Sequence, residues 1–262
     1  MAVDPSAYVA PTARVDAGAV IGPRTRIGEF CVIENDVTIG ADCVLDPHVY
    51  FKRWTTMGDR NEISAGCVFG TDPLDKNFTG ERSYLRIGND NKIREHWTIS
   101  RGTAPESATV VGDGNFVMTS GHIAHNARVG SNTVIASCAL LAGYVEVEDR
   151  AFISGGVVVH QFSRIGTLAM IGGNVRVNSD VPPYFMYADF NVAAKGLNLV
   201  GLKRAGFGRE QITALKRAYQ LLYRSGLKLE EALERIETEV GTAEARHLVE
   251  FVRASKRGIC RE

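Results

Sequence analysis

The 262 residues carry 30 Lys plus Arg against 30 Asp plus Glu, so the global field exerts no pull toward nucleic acid or an anionic membrane. With 45% hydrophobic residues the chain can build a core, which excludes a disordered or collagen-like protein, and its length suits one large domain or a large and a small one. Cys31, Cys43, Cys67, Cys138 and Cys260 form no Cys-x-x-Cys pair, so they predict reduced thiols rather than a disulfide framework or a zinc site.

The first residues, Met1-Ala2-Val3-Asp4-Pro5-Ser6, lack the basic and apolar runs of a secretory leader. No stretch reaches the roughly 20 apolar residues of a membrane helix. Both features predict a cytoplasmic protein without membrane insertion. From Val15 an aliphatic or aromatic residue then falls on every sixth position: Ile21, Ile27, Ile33, Ile39, Leu45, Phe51, Met57, Ile63 and Phe69. The frame resumes at Ile87, Ile93 and Ile99, and runs from Val111 through Ile123, Leu141 and Val159 to Val177. Gly often follows, as at Gly22, Gly28, Gly40 and Gly130.

A period of six cannot keep one face of an α-helix apolar, and a flat strand pairing would alternate every two residues. A two-residue strand plus a turn, three times per coil, accounts for the inward aliphatic and predicts a small residue at a tight corner. The fold expected is mainly β, a left-handed parallel β-helix with eighteen residues per coil. Breaks at about 71–86 and 102–110 predict two loops projecting from a corner, where function concentrates.

Pro182 and Pro183 end the sheet register. Beyond about Asn191 the apolar residues take helical spacing, in one stripe through Ile212, Leu215, Tyr219 and Leu222, one through Leu229, Leu233 and Ile236, and one through Leu248, Phe251 and Val252. The expected division is a β-helix over 1–186 and a C-terminal helical unit over 187–262. Flat prism faces, in a class that commonly packs three prisms side by side, predict a homotrimer by analogy.

His122 and His125 flank the inward Ile123, which points both imidazoles out of the prism. In steps of eighteen His125 lies under Gly143 and Gly143 under Gln161, Asn126 lies under Tyr144, and Gly155 lies under Gly173. Coils stack about 4.7–4.9 Å apart. An imidazole one layer from a backbone N–H with no Cβ in the way suggests a general base and an oxyanion donor, hence acyl transfer. Histidines on trimeric β-helices also serve a zinc-dependent hydratase class, of the carbonic anhydrase type. Here His160 lies almost two coils from His125, roughly 10 Å of rise, too far to share one zinc within a chain; the expectation is no metal, although a neighbouring subunit could supply ligands.

The runs His122-Ile123-Ala124-His125, Leu141-Ala142-Gly143, Val159-His160-Gln161-Phe162, Asp180-Val181-Pro182-Pro183-Tyr184 and Gly201-Leu202-Lys203-Arg204 resemble the UDP-N-acetylglucosamine acyltransferases. Their order and spacing carry the resemblance, which covers nearly the whole chain. It implies transfer of an (R)-3-hydroxyacyl group from acyl carrier protein to the 3-hydroxyl of UDP-N-acetylglucosamine, the first step of lipid A biosynthesis, with no cofactor beyond the carrier's phosphopantetheine. By resemblance His125 is the general base and Gly143 the oxyanion donor, while Asp75 and Lys76 belong to the first loop, where Asp75 would contact the sugar. His122, His160 and Gln161 would line the cleft between subunits, Asn198 and Arg204 would meet the nucleotide, Tyr144 and Gly155 would belong to the substrate-binding set, and Gly173 matches the position that limits acyl length, where a glycine leaves room for a longer chain.

The sequence departs from the family at Asn77, Asn126, Tyr144, Val200 and Ala205, which thins the contacts to the acceptor. A paralogue acylating a different or amino-bearing sugar nucleotide, the zinc hydratase and a non-catalytic scaffold are the alternative readings. Basic residues Lys195, Lys203, Arg204, Arg209, Lys216, Arg217, Arg224 and Lys228 could dock the acidic carrier protein, or form a solvated helical face.

Overall fold

Each six-residue repeat folds as a two-residue strand and a turn. In Val20–Ile21, Arg26–Ile27 and Thr38–Ile39 the first residue is exposed and the second buried, and Ile21, Ile27, Ile33 and Ile39 are at most 1% exposed. Burying such a side chain contributes about 1.5–3 kcal/mol, so the six-residue period is the period of the core. Three strands close one triangular coil, and away from the two loops each pairs in parallel with the strand eighteen residues on, Val20 with Thr38 and Ile21 with Ile39. The computed structural model describes residues 2–261, so Met1 and Glu262, the outer limits of the two expected units, lie outside the described residues. Among the described residues the strands stack into three sheets of nine, eleven and nine strands, wound as a left-handed parallel β-helix.

The corners depart from expectation in one respect. The left-handed residue of most turns is the third after the inward aliphatic, and although Gly66, Gly114 and Gly156 hold it in three turns, larger side chains usually do: Arg24 (φ 57°), Asp36 (φ 60°), Asn126 (φ 59°) and Tyr144 (φ 58°). The recurrent glycines serve close stacking instead. A Cβ on Gly22 would lie 2.6 Å from the carbonyl carbon of Gly40 in the next coil.

One corner hides a polar ladder. Asn91 donates its backbone N–H and side-chain amide to Asn61 Oδ1 at 2.9 and 3.0 Å, Asn115 donates both of its own to Asn91 Oδ1 at 2.9 Å, and Thr133 continues the series onto Asn115. These side chains are at most 1% exposed. An unpaired buried amide costs about 1–3 kcal/mol. Asn91→Ala, which strands two donors of Asn115, is therefore expected to lower the unfolding free energy by about 2–4 kcal/mol in denaturant melts. An unchanged midpoint would show that coil stacking alone holds this corner.

Both loops leave the corner between the third and first sheets. The first joins Val68–Thr71 to Tyr84–Ile87 and the second joins Trp97–Ser100 to Ala108–Val111. They are shorter than the breaks in the frame, because the flanking strands extend into them. Arg101, 5% exposed, anchors the first loop: it pairs with Asp72 at 2.5 Å and lies over the rings of Phe78 and Trp54.

After the last coil Phe185–Ala188 joins the second sheet beside Met170–Ile171 and turns back antiparallel into Ala193–Leu197. Among the described residues four helices follow: α1 (Leu199–Arg204), α2 (Arg209–Tyr219), α3 (Leu229–Glu239) and α4 (Ala243–Arg253), with a π-helical turn at Gln220–Arg224. The apolar core continues from the coils into Leu202, Leu215, Leu233 and Leu248. No helix among the described residues is long and apolar enough to cross a membrane. Burial pushes the Cys67 thiol up to about 11 and the Cys260 thiol up to about 12, which keeps both protonated and inert.

His247 on α4 meets Glu148 of the β-helix at 3.1 Å. The hydrogen bond to Glu148 raises His247 above its ordinary 6.5 against burial, with Glu250 adding to the rise and Arg164 opposing it. Burial disfavours the Glu148 carboxylate, but hydrogen bonds from His247 and Thr167 more than offset this and hold it below 4.5. The His247 contribution to stability is thus complete below about pH 6.5 and lost as pH rises through its elevated value, while that of Glu148 is lost as pH falls below about 4.5. His247→Gln is expected to destabilise most between those limits in pH-resolved thermal melts and least at pH 9. A difference independent of pH would contradict the ion pair.

Candidate active site

The corner that carries both loops also carries His125, Gly143 and Gln161 in three successive coils. His125 follows the strand Gly121–Ile123, Gly143 follows Leu140–Leu141, and Ala124 and Ala142 donate their N–H groups to the coil above, at Leu141 and Val159. A Cβ on Gly143 would lie 2.4 Å from His125 Cε1 and 2.7 Å from Nε2. The imidazole therefore rests directly against the glycine backbone. His125 is only 8% exposed, with the Tyr144 ring edge-on to it at 5.4 Å. Outward orientation here does not mean a solvated side chain.

The Gly143 N–H donates to no group among the described residues. At the equivalent turn position of the next corner, N–H groups are satisfied from the adjacent coil: Ala41 by Asp59 Oδ1 at 2.8 Å, Asp113 by Ser131 Oγ at 3.0 Å and Ser131 by Asp149 Oδ1 at 2.7 Å. No side chain among the described residues does this for Gly143. A buried donor left unpaired beside an imidazole is available to a developing negative charge.

The tautomer of His125 follows from its neighbours. Asn126 Oδ1 accepts from the Thr103 N–H at 3.0 Å and the Thr103 hydroxyl at 2.8 Å, so that atom must be oxygen. Asn126 Nδ2 donates to Ser107 Oγ at 3.1 Å. The same Oδ1 lies 3.1 Å from His125 Nδ1, which must carry the proton and leave the Nε2 lone pair free. Thr103 has spent its proton, so the Tyr144 hydroxyl, 3.0 Å away, donates to it. Thr103→Val removes this support while keeping the shape; kcat is expected to fall roughly tenfold, the scale of one neutral hydrogen bond. Unchanged turnover would show that Asn126 holds the ring without the second loop.

His122, facing out of the same strand as Ile123, places Nδ1 2.7 Å from Thr98 Oγ1, while its buried Nε2 has no partner among the described residues. Desolvation, with His125 nearby, holds its pKa below the ordinary value, so the ring is neutral at pH 7. Asp75 sits in the first loop, where its carboxylate accepts from the Asn77 N–H at 2.9 Å, and Lys76 is exposed beside it. Tyr144 stacks on Phe162 at 4.9 Å. His160 and Gln161 border a groove of about 590 Å³ with Ala142, Val158 and Phe190.

Residues 180–260 match the family model described as Udp N-acetylglucosamine O-acyltransferase, Domain 2. The acyl-[acyl-carrier-protein]–UDP-N-acetylglucosamine O-acyltransferase of Gloeothece citriformis is 41% identical over 201 residues, 77% of this chain and 73% of that protein. The chain belongs to the UDP-N-acetylglucosamine O-acyltransferase family. The crystal structure of the UDP-N-acetylglucosamine acyltransferase from Bacteroides fragilis matches it with a TM-score of 0.93 at 37% identity, over 96% of this chain and 99% of that one. The Arabidopsis UDP-N-acetylglucosamine acyltransferase matches with a TM-score of 0.86 at 35% identity, over 95% and 99%.

In this family member one corner carries Asp75, Lys76, His125, Gly143, Tyr144, His160 and Gln161, with His122 on the strand that leads into it, but not the remaining expected residues. Gly155 and Gly173 occupy the corner between the second and third sheets. Asn198 and Arg204 border a cavity of about 750 Å³ against the second sheet, with Phe152, Met170 and Arg150. Sequence reasoning missed Thr98, Thr103 and Ser107, which orient the two histidines. The basic stretch is partly neutralised, since Lys195 pairs with Asp189 and Arg217 with Glu239. Among the described residues no three His, Cys, Asp or Glu side chains group around a possible cation.

Proposed function

We propose that this chain transfers an (R)-3-hydroxyacyl group from acyl carrier protein to the 3-hydroxyl of UDP-N-acetylglucosamine. The observation that carries the reading is the His125 ring seated against Gly143, whose N–H is unspent. His125 Nε2 takes the proton of the sugar hydroxyl as its oxygen bonds to the thioester carbonyl carbon. The Gly143 N–H receives the charge on the tetrahedral oxyanion. Collapse breaks the carbon–sulfur bond, and the imidazolium returns the proton to the phosphopantetheine thiol. Keeping water from this corner falls to Tyr144 and the second loop.

The groove beside His160, with Ala142 and Val158 in its walls, suits the acyl chain. The unpartnered His122 Nε2, Asp75 and Gln161 are suited to the sugar. Asn198 and Arg204, bordering a cavity away from the His125 corner, would serve the nucleotide of a site completed by a neighbouring copy, and Gly155 and Gly173 the far part of the acyl chain. This division of labour calls for a homotrimer, with residues 1–186 supplying the chemistry and 187–262 the nucleotide end.

Purified protein is expected to consume (R)-3-hydroxyacyl carrier protein in the presence of UDP-N-acetylglucosamine and to release the 3-O-acyl product. Turnover only with a 3-amino sugar nucleotide, or with none, would overturn the reading.

A further inference from the structure

We infer that Tyr184 and His247 are positioning residues for the sugar-nucleotide end of the site, acting through Asn198 and α1; this rests on the function proposed above. Three hydrogen-bonded side chains cross from the β-helix to the last helix and back. Glu148 Oε2 accepts from His247 Nε2 at 3.1 Å and from the Thr167 N–H and hydroxyl at 2.8 and 2.9 Å. His247 Nδ1 lies 2.8 Å from the Tyr184 hydroxyl. Tyr184, 4% exposed, is pinned at its other end, because its N–H donates to the Thr167 carbonyl at 2.8 Å.

The chain ends at the nucleotide cavity. The Tyr184 carbonyl accepts the Asn198 N–H at 2.9 Å. Asn198 in turn spends its other groups on fixing α1: Oδ1 caps the Gly201 N–H at 3.0 Å and Nδ2 donates to the Leu168 carbonyl at 2.9 Å. With six residues, α1 has little cooperativity of its own. Its direction is set by where Asn198 sits, and Asn198, Val200 and Arg204 border the cavity. Tyr184 also adopts φ 74°, a conformation that costs a non-glycine residue about 1–2 kcal/mol and persists only where the surroundings hold it. The phenol bond to His247 is part of that hold. A mere docking contact between α4 and the coils would not need to pass through the one residue whose carbonyl positions the α1 cap.

The test compares His247→Ala, His247→Gln and Tyr184→Phe with the wild type in steady-state kinetics, varying each substrate separately. Tyr184→Phe keeps the buried ring and removes only the hydroxyl. For His247→Ala and Tyr184→Phe the KM for UDP-N-acetylglucosamine is expected to rise about tenfold, the scale of one hydrogen bond to a charged group. The KM for the acyl carrier and kcat should stay within about twofold. His247→Gln, able to donate to Glu148 and accept from Tyr184, should recover most of the loss. Unchanged KM values in all variants would overturn the inference, as would a fall in kcat and both affinities that tracks the folded fraction. A wild type that binds and uses no UDP-N-acetylglucosamine would instead remove the functional reading, and this inference with it.

Discussion

His125→Ala is expected to lower kcat by about a thousandfold, within the 10²–10⁴ range that a positioned general base contributes. The KM for each substrate should change little, because the Nε2 lone pair acts in the transition state rather than in ground-state binding. The fold should survive. Among the described residues the ring makes one hydrogen bond, to Asn126, and Asn126 retains its contacts to Thr103 and Ser107. A melting temperature within roughly 2–4 °C of the wild type would show that activity, not folding, was lost. Turnover kept within a few-fold of the wild type would remove His125 from the role of base.

Gly143→Ala is the second large effect, and one methyl group should produce it. Gly143 has an ordinary negative-φ backbone, since it is absent from the left-handed positions, so alanine strains nothing locally. The added Cβ would lie 2.4 Å from His125 Cε1, and the imidazole must turn away from the amide that it shares the site with. Displacing a catalytic group by about 1 Å costs on the order of a hundredfold, so kcat should fall by about that factor with a near-normal melting curve. Loss of folding would mark the glycine as structural, as Gly22 is, where a Cβ would strike backbone rather than a side chain.

The architecture was legible because one physical requirement, an aliphatic residue facing inward on every strand, repeats at a fixed interval. Within an uninterrupted frame eighteen-residue counting also placed His125 beneath Gly143 and Gly143 beneath Gln161, the stacking that the coils adopt. Across the loops it failed. Met57 pairs with Ile87 and Ile99 with Ile123, intervals of thirty and twenty-four, so the contacts of Thr98 with His122 and of Thr103 with Asn126 have no constant spacing to reveal them. The glycine after each inward aliphatic suggests a tight corner, whereas most left-handed positions lie two residues further on and are held by residues such as Asn126 and Tyr144. Tyr184 and His247, sixty-three residues apart, meet only because α4 folds back on the coils.

The most direct measurement is a double-mutant cycle on kcat between His125 and Gly143. If the added methyl acts by displacing the imidazole, the double variant His125→Ala, Gly143→Ala should turn over as fast as His125→Ala alone, because alanine at 125 leaves nothing to displace. If Gly143→Ala slows the His125→Ala protein by the same factor as it slows the wild type, ring and glycine act independently, and the shared site at this corner is contradicted.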